Sequence, residues 1–221
     1  MLELEARAEP SRLMAWASPL LAVALMLVGG LAVFAALGKD PVEGFRVFFL
    51  NPVKDLYALS ELMLKATPLM LCAIGLAIGF RANVWNIGAE GQFMLGAVAA
   101  TGVALYFGDA ESALVLPAMV LAGAAGGAAW AAVPALLRTR FNADEILVSP
   151  MLVYVAQLFV SWLVFGPWKD PDGFNFPQTR MFAEAATLPM VIEGTRLHFG
   201  FAIALAALVA GYAFMNRSHA G

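Results

Sequence analysis

Six runs of roughly 19–24 predominantly apolar residues dominate this chain, each able to cross a ~30 Å hydrocarbon layer as a helix rising about 1.5 Å per residue. They lie near Trp16–Leu37, Leu59–Phe80, Gly88–Phe107, Ala113–Leu136, Leu147–Gly166 and Leu197–Met215. The runs are continuous rather than alternating, which favours helices over a β-barrel, because each helix satisfies its own backbone hydrogen bonds in lipid. Of the 221 residues, 62% are hydrophobic and 13% charged, against about 25% charged in soluble domains. So much apolar surface must face lipid, which excludes soluble enzymes and disordered scaffolds. The expected fold class is all-α, a polytopic transmembrane helix bundle of about six spans, with residues 1–221 forming a single domain in the bilayer.

What the chain lacks narrows its chemistry. A net charge of −3 with no basic cluster argues against nucleic acid. There is no GxxxxGK[ST] phosphate loop, no HExxH, no GxSxG elbow and no Cys/His cluster, and His198 and His219 stand far apart. No cofactor, metal or catalytic residue is therefore expected. Cys72, the single cysteine, sits in an apolar run and reads as a small core hydrophobe. The first run is too long for a signal peptide, and its flank mixes Glu3, Glu5 and Glu9 with Arg7 and Arg12.

Positive charge does not orient the bundle by count. With the N-terminus inside, Arg7, Arg12, Arg81, Arg138, Arg140 and Arg217 face the cytoplasm. Lys39, Arg46, Lys54, Lys169, Arg180 and Arg196 then face out, six against six. The inside segments are shorter, so their charge is denser, which leans toward N-inside.

Polar groups at membrane depth are the candidate functional residues. Arg81–Gln92, RANVWNIGAEGQ, brings Asn86, Glu90 and Gln92 to the start of the third run. Such groups are costly in lipid unless they face a bundle interior or a wet cavity. An interfacial hairpin, with Glu90 at a helix N-terminus, accounts for the segment as well. A second island, FNADE, offers Asn142 as the cap of the following helix and Asp144 and Glu145 for its positive end. Pro68 is expected to kink the second run, with Thr67 or a neighbouring helix serving the carbonyl it frees. Trp85 either stacks on solute or anchors at the interface. Gly75–Gly79 and Gly123–Gly127 have the spacing that lets helix backbones approach closely.

In order, KATPL (Lys65–Leu69), FRANVWNIGAEGQFMLGA (Phe80–Ala97), FNADEIL (Phe141–Leu147) and GPWKDPDGFNFPQT (Gly166–Thr179) resemble the permease subunit of bacterial binding-protein-dependent ABC importers. The branch resembled handles simple sugars or nucleosides and is related to ribose-type and branched-chain amino acid permeases. The resemblance implies a multi-pass protein of the cytoplasmic membrane with its N-terminus inside and Pro167–Arg196 outside. It also implies, as partners, a second permease subunit, an ATP-binding cassette subunit that hydrolyses ATP, and an extracytoplasmic solute-binding protein. Asn86, Glu90 and Gln92, and then Asn142 and Glu145, become candidates for the solute path. Members of that family are longer, so the resemblance implies a domain truncated after Ser218–Gly221. The alternative reading is a non-transporting membrane fragment or a structural partner.

Overall fold

The computed structural model describes residues 12–108 and 110–217. The charged N-terminal flank before Arg12 and the Ser218–Gly221 end lie outside them. Among the described residues seven α-helices form: α1 (Arg12–Ala36), α2 (Pro41–Phe49), α3 (Leu56–Arg81), α4 (Ala89–Phe107), α5 (Val115–Phe141), α6 (Glu145–Phe165) and α7 (Gly200–Arg217). All but α2 coincide with the six expected apolar runs. Among the described residues, five helices are long and apolar enough to cross a bilayer: α1, α3, α5, α6 and α7. Helix α4 falls outside that set because it opens on Glu90 and Gln92 and is rich in glycine. It can lie at membrane depth only when neighbouring helices cover it.

The chain divides into two compact units, Met1–Leu62 and Met63–Gly221. In the first, α1 meets α2 through Phe34 and Phe45, whose rings stand 6.1 Å apart edge to face. Gly30 lies against the Phe45 ring and Gly44 against the Phe34 ring. Between the first two apolar runs, Asp40 and Pro41 start a further helix. The Asp40 carboxylate accepts from the amides of Val42 (2.8 Å) and Glu43 (3.2 Å). Proline at the first helical position needs no amide partner.

In the second unit α4 is central. It runs antiparallel to α5, with Gln92 beside Gly127 and Gly96 beside Gly123. A Cβ on Gly96 would lie 2.9 Å from the Gly123 carbonyl oxygen, so the two backbones touch with no room for side chains. That is the close approach that the Gly123–Gly127 spacing predicts. Among the described residues a Cβ on Gly75 would meet nothing within 4 Å and one on Gly79 only the Val84 carbonyl oxygen, so the same spacing in α3 packs no described helix. Helix α6 runs parallel to α4, with Gly88 against Ser149 and Gly91 against Val153. Helix α7 meets α3 where Gly211 faces Ile74.

Helix α3 continues through Pro68. The Thr67 hydroxyl donates to the Met63 carbonyl at 2.9 Å, one residue short of the Leu64 carbonyl that Pro68 leaves unserved. Helix α3 ends in a left-handed turn at Asn83 (φ 56°). There Val84 donates to Gly79 and Asn83 to Phe80, at 2.9 and 3.0 Å, the paired closure of a Schellman motif.

The FNADE island builds the α5–α6 corner, and its capping differs from expectation. Asn142 does not cap α6. It takes the left-handed conformation (φ 53°) that closes α5 and donates to the Arg138 carbonyl at 3.0 Å. Asp144 is the cap: it is extended, immediately precedes Glu145, and accepts from the Ile146 amide at 2.9 Å. Only that position places a side-chain oxygen over the free amides of the first turn. Replacing Asp144 with Ala should therefore cost about 1 kcal/mol. It should lower the unfolding midpoint of the detergent-purified protein by a few degrees, while Asp144→Ser should restore most of the loss.

Candidate functional site

Helices α3, α4 and α5 and the segment before α7 line an open cavity of about 1160 Å³, all within the second unit. On α5 its wall runs from Leu116 to Ala131, about 22 Å of helix and most of a hydrocarbon layer. Much of the wall is small or apolar, including Gly75, Gly96, Ala97, Ala100, Gly123 and Ala124. Glycine and alanine at these positions leave the space open because bulk there would occupy it.

Polar groups line the cavity at two places. At the α4 N-terminus, Asn86 and Gln92 form a reciprocal amide pair. The Asn86 Nδ2 donates to Gln92 Oε1 at 3.0 Å, and Gln92 Nε2 donates to Asn86 Oδ1 at 3.0 Å. Asn86 Oδ1 also accepts from the Gly88 amide at 3.1 Å. Each primary amide has two donor hydrogens and two acceptor lone pairs, so the pair stays rigid while keeping capacity for a ligand. At the other place, Thr187, Arg196 and His198 come from the segment between α6 and α7. Among the described residues no Asp or Glu lines the cavity, so a cationic ligand would meet no counter-charge from them.

The amide pair lies well inside the bundle. Gly88 abuts Ser149, four residues into α6 from the charged Arg138–Glu145 corner, and Gln92 is level with Gly127. At about 1.5 Å per residue these levels are roughly 6 and 16 Å from that corner. The non-helical stretch before α4 thus ends about 6 Å along α6 from that corner.

The other sequence candidates sit elsewhere. Glu90 is exposed and accepts from Gln157 Nε2 of α6 at 3.4 Å. Two positions from Gln92, it is turned about 200° around α4. Glu145 is 8% exposed and ion-paired with Arg138, while Asn142 closes α5. None of the three lines the cavity. Trp85 is half exposed, packs on Phe80 with ring centres 5.3 Å apart, and also lies off the cavity. Among the described residues, no three His, Cys, Asp or Glu side chains gather to hold a metal ion.

Sequence reasoning missed Thr187, Arg196 and His198 as wall residues. They occupy what reads as an ordinary polar connection, and only folding returns it to α5. There Ala186 packs with Ala104, Val115 and Met119. The segment then forms a short hairpin, in which Val191 donates to Leu197 (2.8 Å) and Phe199 to Pro189 (2.9 Å). This pairing also delays α7 to Gly200, three residues after the apolar run begins.

Fold and site together define a multi-pass helical membrane protein with a long cavity and neutral amides in its wall. The chain belongs to the family described as branched-chain amino acid transport system / permease component, which it matches over residues 58–221. It is 38% identical, over its full length, to a glucose ABC transporter permease protein of Haloferax volcanii. It is 28% identical over 92% of its length to a guanosine ABC transporter permease protein of Bacillus subtilis. To a nucleoside ABC transporter permease protein of Lactococcus lactis it is 25% identical over 86%. The chain spans 60%, 58% and 54% of these three relatives. No solved structure gives a significant match.

Proposed function

We propose that this chain acts in the permease subunit of an ABC importer that carries a small polar solute, a nucleoside or simple sugar, across the cytoplasmic membrane. The whole chain would be part of one permease domain, with the N-terminus in the cytoplasm. ATP hydrolysis would take place on a separate ATP-binding cassette subunit. A second permease subunit and an extracytoplasmic binding protein would complete the assembly. The observation that carries this reading is the cavity, which follows α5 for most of a bilayer and holds a neutral amide pair. Family membership and the names of the relatives support it.

In this mechanism the amide pair exchanges part of its mutual bonding for bonds to solute hydroxyl, carbonyl or ring nitrogen groups. Neutral hydrogen bonds replace those to water at a small net gain of about 0.5–1.5 kcal/mol each, so solute is held and still released. Helix movements would expose the site to each side in turn, biased by nucleotide on the partner subunit. No covalent step is required. Glu90, Asn142 and Glu145 lie off the cavity, and this reading gives them no contact with solute inside it.

The test is uptake of labelled glucose and labelled guanosine by cells expressing the full transporter. Ala124→Phe, which places a ring in the cavity, should cut uptake at least tenfold at normal membrane abundance. Leu121→Phe, on the exposed face of α5, should leave it unchanged. Equal uptake by wild type and Ala124→Phe would remove the cavity from the path.

A further inference from the structure

The hairpin before α7 fixes one side chain of the cavity wall in a defined hydrogen-bonding state. The His198 Nδ1 accepts a hydrogen bond from the Gly200 amide at 3.1 Å, at the start of α7. An accepting Nδ1 carries no proton, so the neutral ring bears its proton on Nε2. The ring lies over Gly200 in space that a side chain would fill, because a Cβ there would lie 2.6 Å from both Nδ1 and Cε1. Met190 pairs with His198 across the hairpin. The neighbouring Thr195 and Leu197 are 6% and 3% exposed, which anchors the turn. His198 nevertheless lines the cavity, and Nε2 has no hydrogen-bond partner among the described residues.

We infer that His198 is a solute-binding residue whose Nε2–H donates to an acceptor oxygen of a neutral polyhydroxy or nucleoside solute, at a station separate from the amide pair. This inference rests on the permease reading above and extends it. The segment leading into the hairpin meets α5 at Ala186, beside Val115 and Met119, whereas the amide pair is level with Gly127. Eight residues of helix separate Met119 from Gly127, about 12 Å. A monosaccharide is shorter than that and meets the two stations in turn. The hairpin station presents a donor with a fixed tautomer. The amide pair presents both donors and acceptors.

Two substitutions separate the two ends of the imidazole. In His198→Asn the side-chain oxygen takes the place of Nδ1, two residues before the amide it caps, as in an Asx turn, but nothing replaces Nε2–H. In His198→Gln the amide nitrogen reaches the Nε2 position and the bond to Gly200 is lost. Uptake of labelled glucose and guanosine is measured in the complete transporter, together with membrane abundance. We expect His198→Asn to raise KM roughly three- to tenfold, the loss of one neutral hydrogen bond, with abundance and maximal rate kept. His198→Gln should keep KM near wild type while losing thermal stability. An unchanged KM in His198→Asn, or an equal rise in both variants, overturns the inference and leaves the permease reading standing. Failure of the wild-type transporter to move either probe overturns both.

Discussion

Gly126→Val should abolish accumulation of folded protein, and it is the largest stability effect expected from any single helix-packing position. A Cβ at Gly126 would lie 2.6 Å from the Ala99 Cβ and 3.0 Å from the Leu95 carbonyl oxygen, on the facing side of α4. Neither neighbour is the free end of a flexible side chain, so one helix must move away from the other. Overpacking of this kind typically costs about 1–3 kcal/mol. Here the added branch should bring the cost to about 3 kcal/mol or more, a large share of the stability of most domains. Separating α4 from α5 would also expose the Gln92 and Gly96 carbonyls to lipid. Fluorescence-detected size-exclusion of a tagged protein would read the loss as a vanished monodisperse peak. Gly75→Ala is the matched control, because nothing lies within 4 Å of its Cβ position, and its profile should be unchanged. A monodisperse Gly126→Val would mean that α4 and α5 do not touch as described.

The largest functional effect should come from breaking the amide pair on one side only. In Asn86→Leu, Gln92 loses both reciprocal bonds and the Gly88 amide loses its acceptor. Of these groups Gly88 is buried, and leaving its amide without an acceptor costs about 1–3 kcal/mol, so uptake should fall about 10- to 100-fold on top of the loss of direct solute bonds. Gln92→Leu should act similarly but spare the Gly88 turn. The double variant should be little worse than Asn86→Leu, since the first change already removes the shared bonds. That non-additivity, measured as initial uptake rates corrected for abundance, is the signature of a coupled pair. Simple addition of the two effects would show that the amides act separately.

These two expectations differ in how far sequence alone could reach them. The glycine spacing in α3 and in α5 reads the same, yet Gly123 and Gly127 meet a partner helix and Gly75 does not. Asn86 and Gln92 stand out as polar residues in an apolar setting, but so does Glu90. Their separation onto different faces follows from where α4 begins and which helices flank it. Asn142 and Asp144 are both good capping residues by type. The left-handed closure of α5 at Asn142 is what leaves Asp144 to cap α6. His198 carries no motif at all. Its place on the cavity wall depends on a hairpin whose two bonds lie in an apparently plain connection.

The sequence by itself determined that the chain is helical and crosses lipid repeatedly, because backbone groups in hydrocarbon must be satisfied within each segment. It also marked which few polar residues sit among the apolar runs, since composition and spacing are local properties. The tertiary structure decided which of those residues share a cavity, which glycines bring helices together, and which loop returns to complete the wall. Those outcomes depend on contacts between segments far apart in the chain. Hydropathy is the same on every side of a helix that is apolar all round, so it holds no record of which face meets which neighbour.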